Sequence, residues 1–161
     1  MADCKKYGRT ANLFDYVSYF DSVFTPYNEF FNYAEIQLQP NTTYTLSTSI
    51  MEYGTSPRNT PFIVTTTNQT PTTAVGGLSN ISPVTITTEN DGILKLYKRI
   101  LGSGIQPTKD LFDDGEWLML NTGSTALPYQ PYLDWQHSLK KFDGTDWIDA
   151  TVKEDDGTNW Q

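Results

Sequence analysis

Pro40–Asn41–Thr42–Thr43–Tyr44–Thr45–Leu46–Ser47 reads as a tight turn running straight into an alternating strand. Pro presets the turn dihedral and Asn tolerates a left-handed backbone. Tyr44, Leu46, Thr48 and Ile50 then share one phase, with Thr45, Ser47 and Ser49 on the other. That pattern predicts a strand of an antiparallel sheet, one face packed and one polar.

Working outward, the same rhythm repeats. Ala34–Gln39 alternates with Ile36 and Leu38 inward and Glu35, Gln37 and Gln39 outward. Glu52–Thr60 is read as a loop broken by Gly54 and Pro57. Phe62–Thr67, Pro83–Thr88, Ile93–Arg99 and Glu116–Asn121 are read as strands. Asn68–Asn80 is a polar connection, and Leu101–Asp114 a long loop. Glu89–Gly92 is a turn in which Asn90–Asp91–Gly92 offers the backbone a hairpin needs. Residues 8–33 are crowded with aromatic rings, and Pro26 argues against one continuous helix. They are read as an edge strand followed by an irregular or briefly helical loop. Between Thr42 and Thr88, 15 of 47 residues are threonine. Ile63, Val64, Val84 and Ile86 interrupt that run, which favours β-structure over a mucin-like stalk. Six or seven short strands without a βαβ rhythm predict an all-β sandwich.

The chain ends in two copies of a short pattern, Asp143–Gly144–Thr145–Asp146–Trp147 and Asp156–Gly157–Thr158–Asn159–Trp160. Asp–Gly is hairpin-turn chemistry. Lys141–Phe142 and Trp147–Ile148 would pair across the first turn. Two strands are marginal alone, so Trp147 and Trp160 are expected to be covered by the main domain or by a neighbouring subunit.

The 161 residues are 37% hydrophobic and 19% charged, with a formal net charge of −8. Such a surface repels the nucleic-acid backbone, and its basic residues come only in small groups such as Lys95 with Lys98–Arg99. The single cysteine, Cys4, has no internal partner for a disulfide. Met1–Ala2–Asp3–Cys4–Lys5–Lys6 lacks the apolar region of a secretory leader, and no run reaches the length of a membrane span. A chain made in the cytoplasm, with no membrane and no nucleic-acid partner, is expected.

Catalytic chemistry is sparse. His137, the only histidine, has Asp134 nearby but no marked nucleophile. Phosphate-loop and dinucleotide glycine patterns are absent, and one His with one Cys argues against a zinc site. Asp110, Asp113, Asp114 and Glu116 around Gly115 could hold a structural calcium, or serve as a glycosidase pair if a cleft separated two of them suitably. A solvated loop is the plainer reading, so no enzyme and no cofactor is expected. A ligand site would combine flat rings with amides and carboxylates. Tyr16, Tyr19, Tyr27, Tyr53, Trp117, Tyr129 and Tyr132 are the candidates.

Gly8–Arg9–Thr10–Ala11–Asn12–Leu13–Phe14 resembles the opening of carbohydrate-binding-module-like jelly-roll domains in the tail and baseplate proteins of tailed phages. Leu38–Ser47 is similar to their proline–asparagine–threonine strand, and Gly123–Ser124–Thr125–Ala126–Leu127–Pro128–Tyr129–Gln130–Pro131–Tyr132 to their closing segment. Relatives usually carry isoleucine–glutamine–leucine–glutamate before that segment. Here Glu116–Asn121 stands in its place, without the closing glutamate. The resemblance covers residues 8–133. It implies a jelly-roll-like antiparallel β-sandwich over 8–133; residues 1–7 are read as a flexible N-terminus and 134–161 as a C-terminal Trp-containing hairpin appendage. It also implies a virion component acting in assembly or host attachment, homo-oligomeric, partnered by other virion proteins and by host-surface saccharide.

Overall fold

The computed structural model describes residues 11–51, 60–71 and 77–132, together with the backbone of two C-terminal strands. In chain order the elements are α1 (Tyr16–Asp21), β1 (Thr25–Pro26), β2 (Phe31–Gln37), β3 (Thr43–Thr48), β4 (Phe62–Thr66) and β5 (Gly77–Leu78). They continue with β6 (Val84–Thr87), β7 (Ile93–Arg99), α2 (Lys109–Asp113), β8 (Leu118–Thr122), β9 (Lys140–Phe142) and β10 (Trp147–Asp149). The expectations for Cys4, the 1–7 terminus, Tyr53, His137 and Trp160 fall outside the described residues.

Two antiparallel sheets make the fold, one in the order β1-β2-β7-β4-β5 and one in the order β6-β3-β8. Their facing sides share one core. Ala34, Phe62, Val64, Leu78, Leu94 and Leu96 enter it from the larger sheet, and Tyr44, Leu46, Val84, Ile86, Leu118 and Leu120 from the smaller. Each fully buried Val, Leu, Ile or Phe among them contributes about 1.5–3 kcal/mol against exposure. β9 and β10 form a separate antiparallel pair with Trp147 opposite Phe142, where hairpin strands were expected.

β3 follows the predicted phase but has no solvated face. Thr45 and Ser47 are buried as well as Tyr44 and Leu46. On the side away from the core, Thr45 shares its hydroxyl with Thr85 and donates to the Gly123 carbonyl. Next to it Asn121 donates to the Thr125 carbonyl and accepts from the Leu127 amide. Residues 123–127 thus fold over a face that alternation alone marks as polar.

The Glu89–Gly92 turn is not a hairpin. β6 pairs with β3, and β7 pairs with β2 and β4, so this turn carries the chain from one sheet to the other. The turn chemistry was legible, its destination was not. Gly92 has φ +68° and closes the turn through its amide on the Glu89 carbonyl at 3.0 Å. A β-carbon there would lie 2.3 Å from the Leu38 carbonyl oxygen. Leu38–Thr42 makes the companion crossing from β2 to β3, with Asn41 at φ 50°. Thr88 ties the two corners together. Its amide donates to the Thr42 carbonyl, and its hydroxyl donates to the Gln39 carbonyl and accepts from the Thr42 amide.

The aromatic N-terminal stretch runs in the reverse order to that expected, with the helix preceding the edge strand. Residues 11–14 lie beside β8, held by the Leu13 amide on the Leu120 carbonyl at 2.7 Å. Asp15 then caps α1 by accepting from the Ser18 amide. The long 101–114 connection likewise contains a helix, α2, capped by Thr108 on the Leu111 amide. Lys95, Lys98 and Arg99 do not make a basic patch. Arg99 is buried with its guanidinium over the Phe31 ring, and Lys98 reaches over Phe24.

Candidate functional site

The two helices and the segment after β8 bring distant aromatic residues onto one face. The Asp15 cap starts α1 and sets Tyr16 in its first turn. Tyr16 stacks on Phe112 of α2, with ring centroids 5.5 Å apart and planes inclined by 23°. Its hydroxyl donates to Asp113 Oδ1 at 2.9 Å. That hydrogen bond, then partial burial and the Asp113 charge, push the phenol above its usual range. Tyr129 and Asp15 lie close enough to push in the same direction.

Trp117 directly precedes β8. It stacks on Tyr129 with centroids 4.9 Å apart and planes inclined by 17°. The Trp117 backbone is fixed because its amide donates to Ser49 Oγ, and the same hydroxyl donates to Glu116 Oε2. Tyr129 is held by its neighbour Gln130. The Ala11 amide donates to the Gln130 side chain, and Asn12 Nδ2 donates to the Gln130 carbonyl at 2.9 Å. Tyr129 remains 42% exposed and Tyr132 37% exposed. The result is a stacked pair with an accessible ring, while the Asp113 carboxylate is held by Tyr16 and that of Glu116 by Ser49.

Of the residues the sequence put forward, Tyr16, Trp117, Tyr129, Asp113 and Glu116 are gathered here. Tyr19 is not a surface ring. It is 5% exposed, packs on Phe14, Phe20 and Phe24, and donates its hydroxyl to the Leu96 carbonyl at 3.0 Å. Burial pushes its phenol well above the usual range. Tyr27 belongs to a different group, edge-on to Tyr97 at 5.4 Å, with the Tyr33 ring tilted by 39° against Tyr97 on the larger sheet.

The calcium expectation for Asp110, Asp113, Asp114 and Glu116 is not met. Among the described residues no three His, Cys, Asp or Glu side chains stand together as a metal site. The reason is the unexpected helix. Asp110 sits in the first turn of α2, Asp114 caps its C-terminus, Asp113 turns to Tyr16 and Glu116 turns to Ser49. Sequence reading missed the Asn12 clamp, although Asn12 heads the Asn–Leu–Phe opening that carried the family resemblance.

Comparison of the chain with protein-family models, with curated proteins and with solved structures finds no significant match in any of the three.

Proposed function

We propose that the chain is a non-enzymatic virion component of a tailed phage, a jelly-roll-like sandwich that attaches to host-surface saccharide through its Trp117–Tyr129 face. The virion setting is supported by the opening, central and closing motifs in the sequence. The saccharide role is carried by one observation, the Trp117–Tyr129 stack with an open ring. Aromatic faces pack against the C–H face of a sugar. Many copies on one particle let weak single sites hold a surface, because linked sites raise avidity.

The test is binding of the purified protein to host cell walls and to a glycan array, with Tyr129→Ala and Trp117→Ala beside it. Binding by the native chain, weakened about tenfold or more by either substitution, is the expected result, in line with the magnitude of an exposed aromatic contact. A native chain that binds no wall preparation and no glycan overturns the saccharide role. The assembly role is favoured by Met51 and Ile81, 62% and 73% exposed and joined through the Asn80 amide on the Ile50 carbonyl. Sedimentation should show a homo-oligomer that Ile81→Lys dissociates, and a native monomer at all concentrations would remove that role.

A further inference from the structure

Resting on the assembly reading, we propose that β6 is the joint between copies of this chain. Its free edge pairs antiparallel with β6 of a second copy about a two-fold axis, with Ile86 opposite the partner's Ile86. Two packed sheets have four edges, and three of them are closed off. The larger sheet ends in β1 and β5, strands of two residues each, and β1 contains Pro26. Edges so short offer little to a neighbouring strand. The β8 edge is taken by residues 11–14. There the Leu13 amide donates to the Leu120 carbonyl, and Asn12 accepts from the Leu120 amide and donates to the Leu118 carbonyl. β6 is the edge left, and among the described residues it pairs with β3 alone. Ile81 lies just ahead of it, in the bend bridged by Ser79 and Ser82.

The register shows which backbone groups of β6 point outward. The Thr88 amide donates to the Thr42 carbonyl, so the bonded positions recur at Ile86 with Tyr44 and at Val84 with Leu46. The amides and carbonyls of Thr85 and Thr87 therefore point away from β3, and both residues are exposed. Their hydroxyls meet those of β3, Thr87 with Thr43 at 2.9 Å and Thr85 with Thr45 at 3.1 Å. Val84–Thr85–Ile86–Thr87 is uncharged and carries none of the lysines that guard exposed edges. Two copies of a chain with a formal net charge of −8 join best where like charges do not face each other.

One register uses every free group. Centred on Ile86, it sets Thr85 opposite the partner's Thr87, where the two exchange both bonds, and Glu89 opposite the partner's Pro83. Centred on Thr85, it would set Thr87 opposite the partner's Pro83, which has no N–H to give. Centred on Thr87, it would call on the Glu89 carbonyl, which already accepts from the Asn41 and Gly92 amides. A parallel pairing in register would bring Glu89 beside the partner's Glu89. The joined sheet ends on both sides in β8, whose edge is covered, so the pair closes as a dimer and does not grow into a fibre.

The experiment is sedimentation equilibrium of the native protein beside two double variants, with thermal melts to check that each is folded. Thr85→Lys with Thr87→Lys sets lysine opposite lysine twice across the joint and should weaken the dimer about tenfold or more. Thr85→Lys with Thr87→Glu sets opposite charges there and should restore it. In the native chain, hydrogen exchange at the Thr85 and Thr87 amides should slow as rising concentration forms the dimer. Three results overturn the β6 joint while leaving assembly standing: an oligomer that Ile81→Lys dissociates but the two lysines leave intact, equal dissociation by both double variants, or unprotected Thr85 and Thr87 amides in the native oligomer. A native monomer at all concentrations removes both and leaves the edge to a strand of another protein.

Discussion

Thr88 shows how much one hydroxyl can hold at the residue scale. It is buried and serves two corners at once, through the Gln39 carbonyl and the Thr42 amide. Thr88→Val keeps the shape and removes both bonds. It should cost about 1–3 kcal/mol, since desolvated backbone groups lose their partner. Urea unfolding would show a lower midpoint with an unchanged slope. Asp91 works beside it in the second corner, accepting from the Ile93 amide at 3.0 Å and from the Thr67 hydroxyl at 2.7 Å. The Ile93 bond first, then the Thr67 bond, hold its carboxyl below the usual aspartate range. A lowered folded-state value means the ionised form contributes stability above the unfolded value of about 3.9, lost as pH falls through the folded one. Asp91→Asn should therefore be less stable than the native chain at neutral pH. The gap should close as pH drops below the ordinary aspartate range, as followed by thermal melts across pH. Equal melting curves at neutral pH would exclude this role.

Among the elements, the join of residues 11–14 to β8 is held chiefly by Asn12. Its Nδ2 donates to the Leu118 and Gln130 carbonyls, and its Oδ1 accepts from the Phe14 and Leu120 amides. Asn12→Ala leaves several buried groups without these bonds and should cost about 3 kcal/mol, near the upper range for single substitutions. Because Gln130 positions Tyr129, the same variant should also change tryptophan fluorescence in the folded state. Unchanged melting and emission would show that other contacts hold the join. β7 was legible from end to end, Ile93–Arg99, because a short run rich in apolar residues lies between the Asn90–Asp91–Gly92 turn and the Gly102–Ser103–Gly104 break. α1 and α2 were not. Helices of six and five residues are too short to display a 3.6-residue period, and only the caps Asp15 and Thr108 mark them. The site was half legible for a similar reason. Ring-bearing residues announce themselves by type, but Tyr16 meets Asp113 across 97 positions of sequence. Local patterns say nothing about such a meeting. They also failed for Tyr19, three residues on and on nearly the same face of α1, whose ring is buried while Tyr16 reaches Asp113.

For the whole molecule, the sequence named the class and left the wiring open. Alternation and turn residues point to antiparallel sheets packed on one core, which is what forms. They do not tell a turn that returns to the same sheet from one that leaves it, since both want Asn, Asp and Gly at the same positions. The wiring that results has a kinetic consequence. β2, β4 and β7 belong to one sheet and β3, β6 and β8 to the other, so successive long strands switch layers each time. The partners β2 and β7 pair Phe31 with Arg99 and Gln37 with Ile93, with most of the smaller sheet's strands lying between them in sequence. Neither layer can zip up from neighbouring segments during synthesis, so the loop-closure entropy must be met before either gains its long-range contacts. Stopped-flow refolding from urea should accordingly be slow, in milliseconds to seconds, with both layers acquiring hydrogen-exchange protection together. A microsecond phase, or one layer protected well ahead of the other, would mean that the two assemble independently after all.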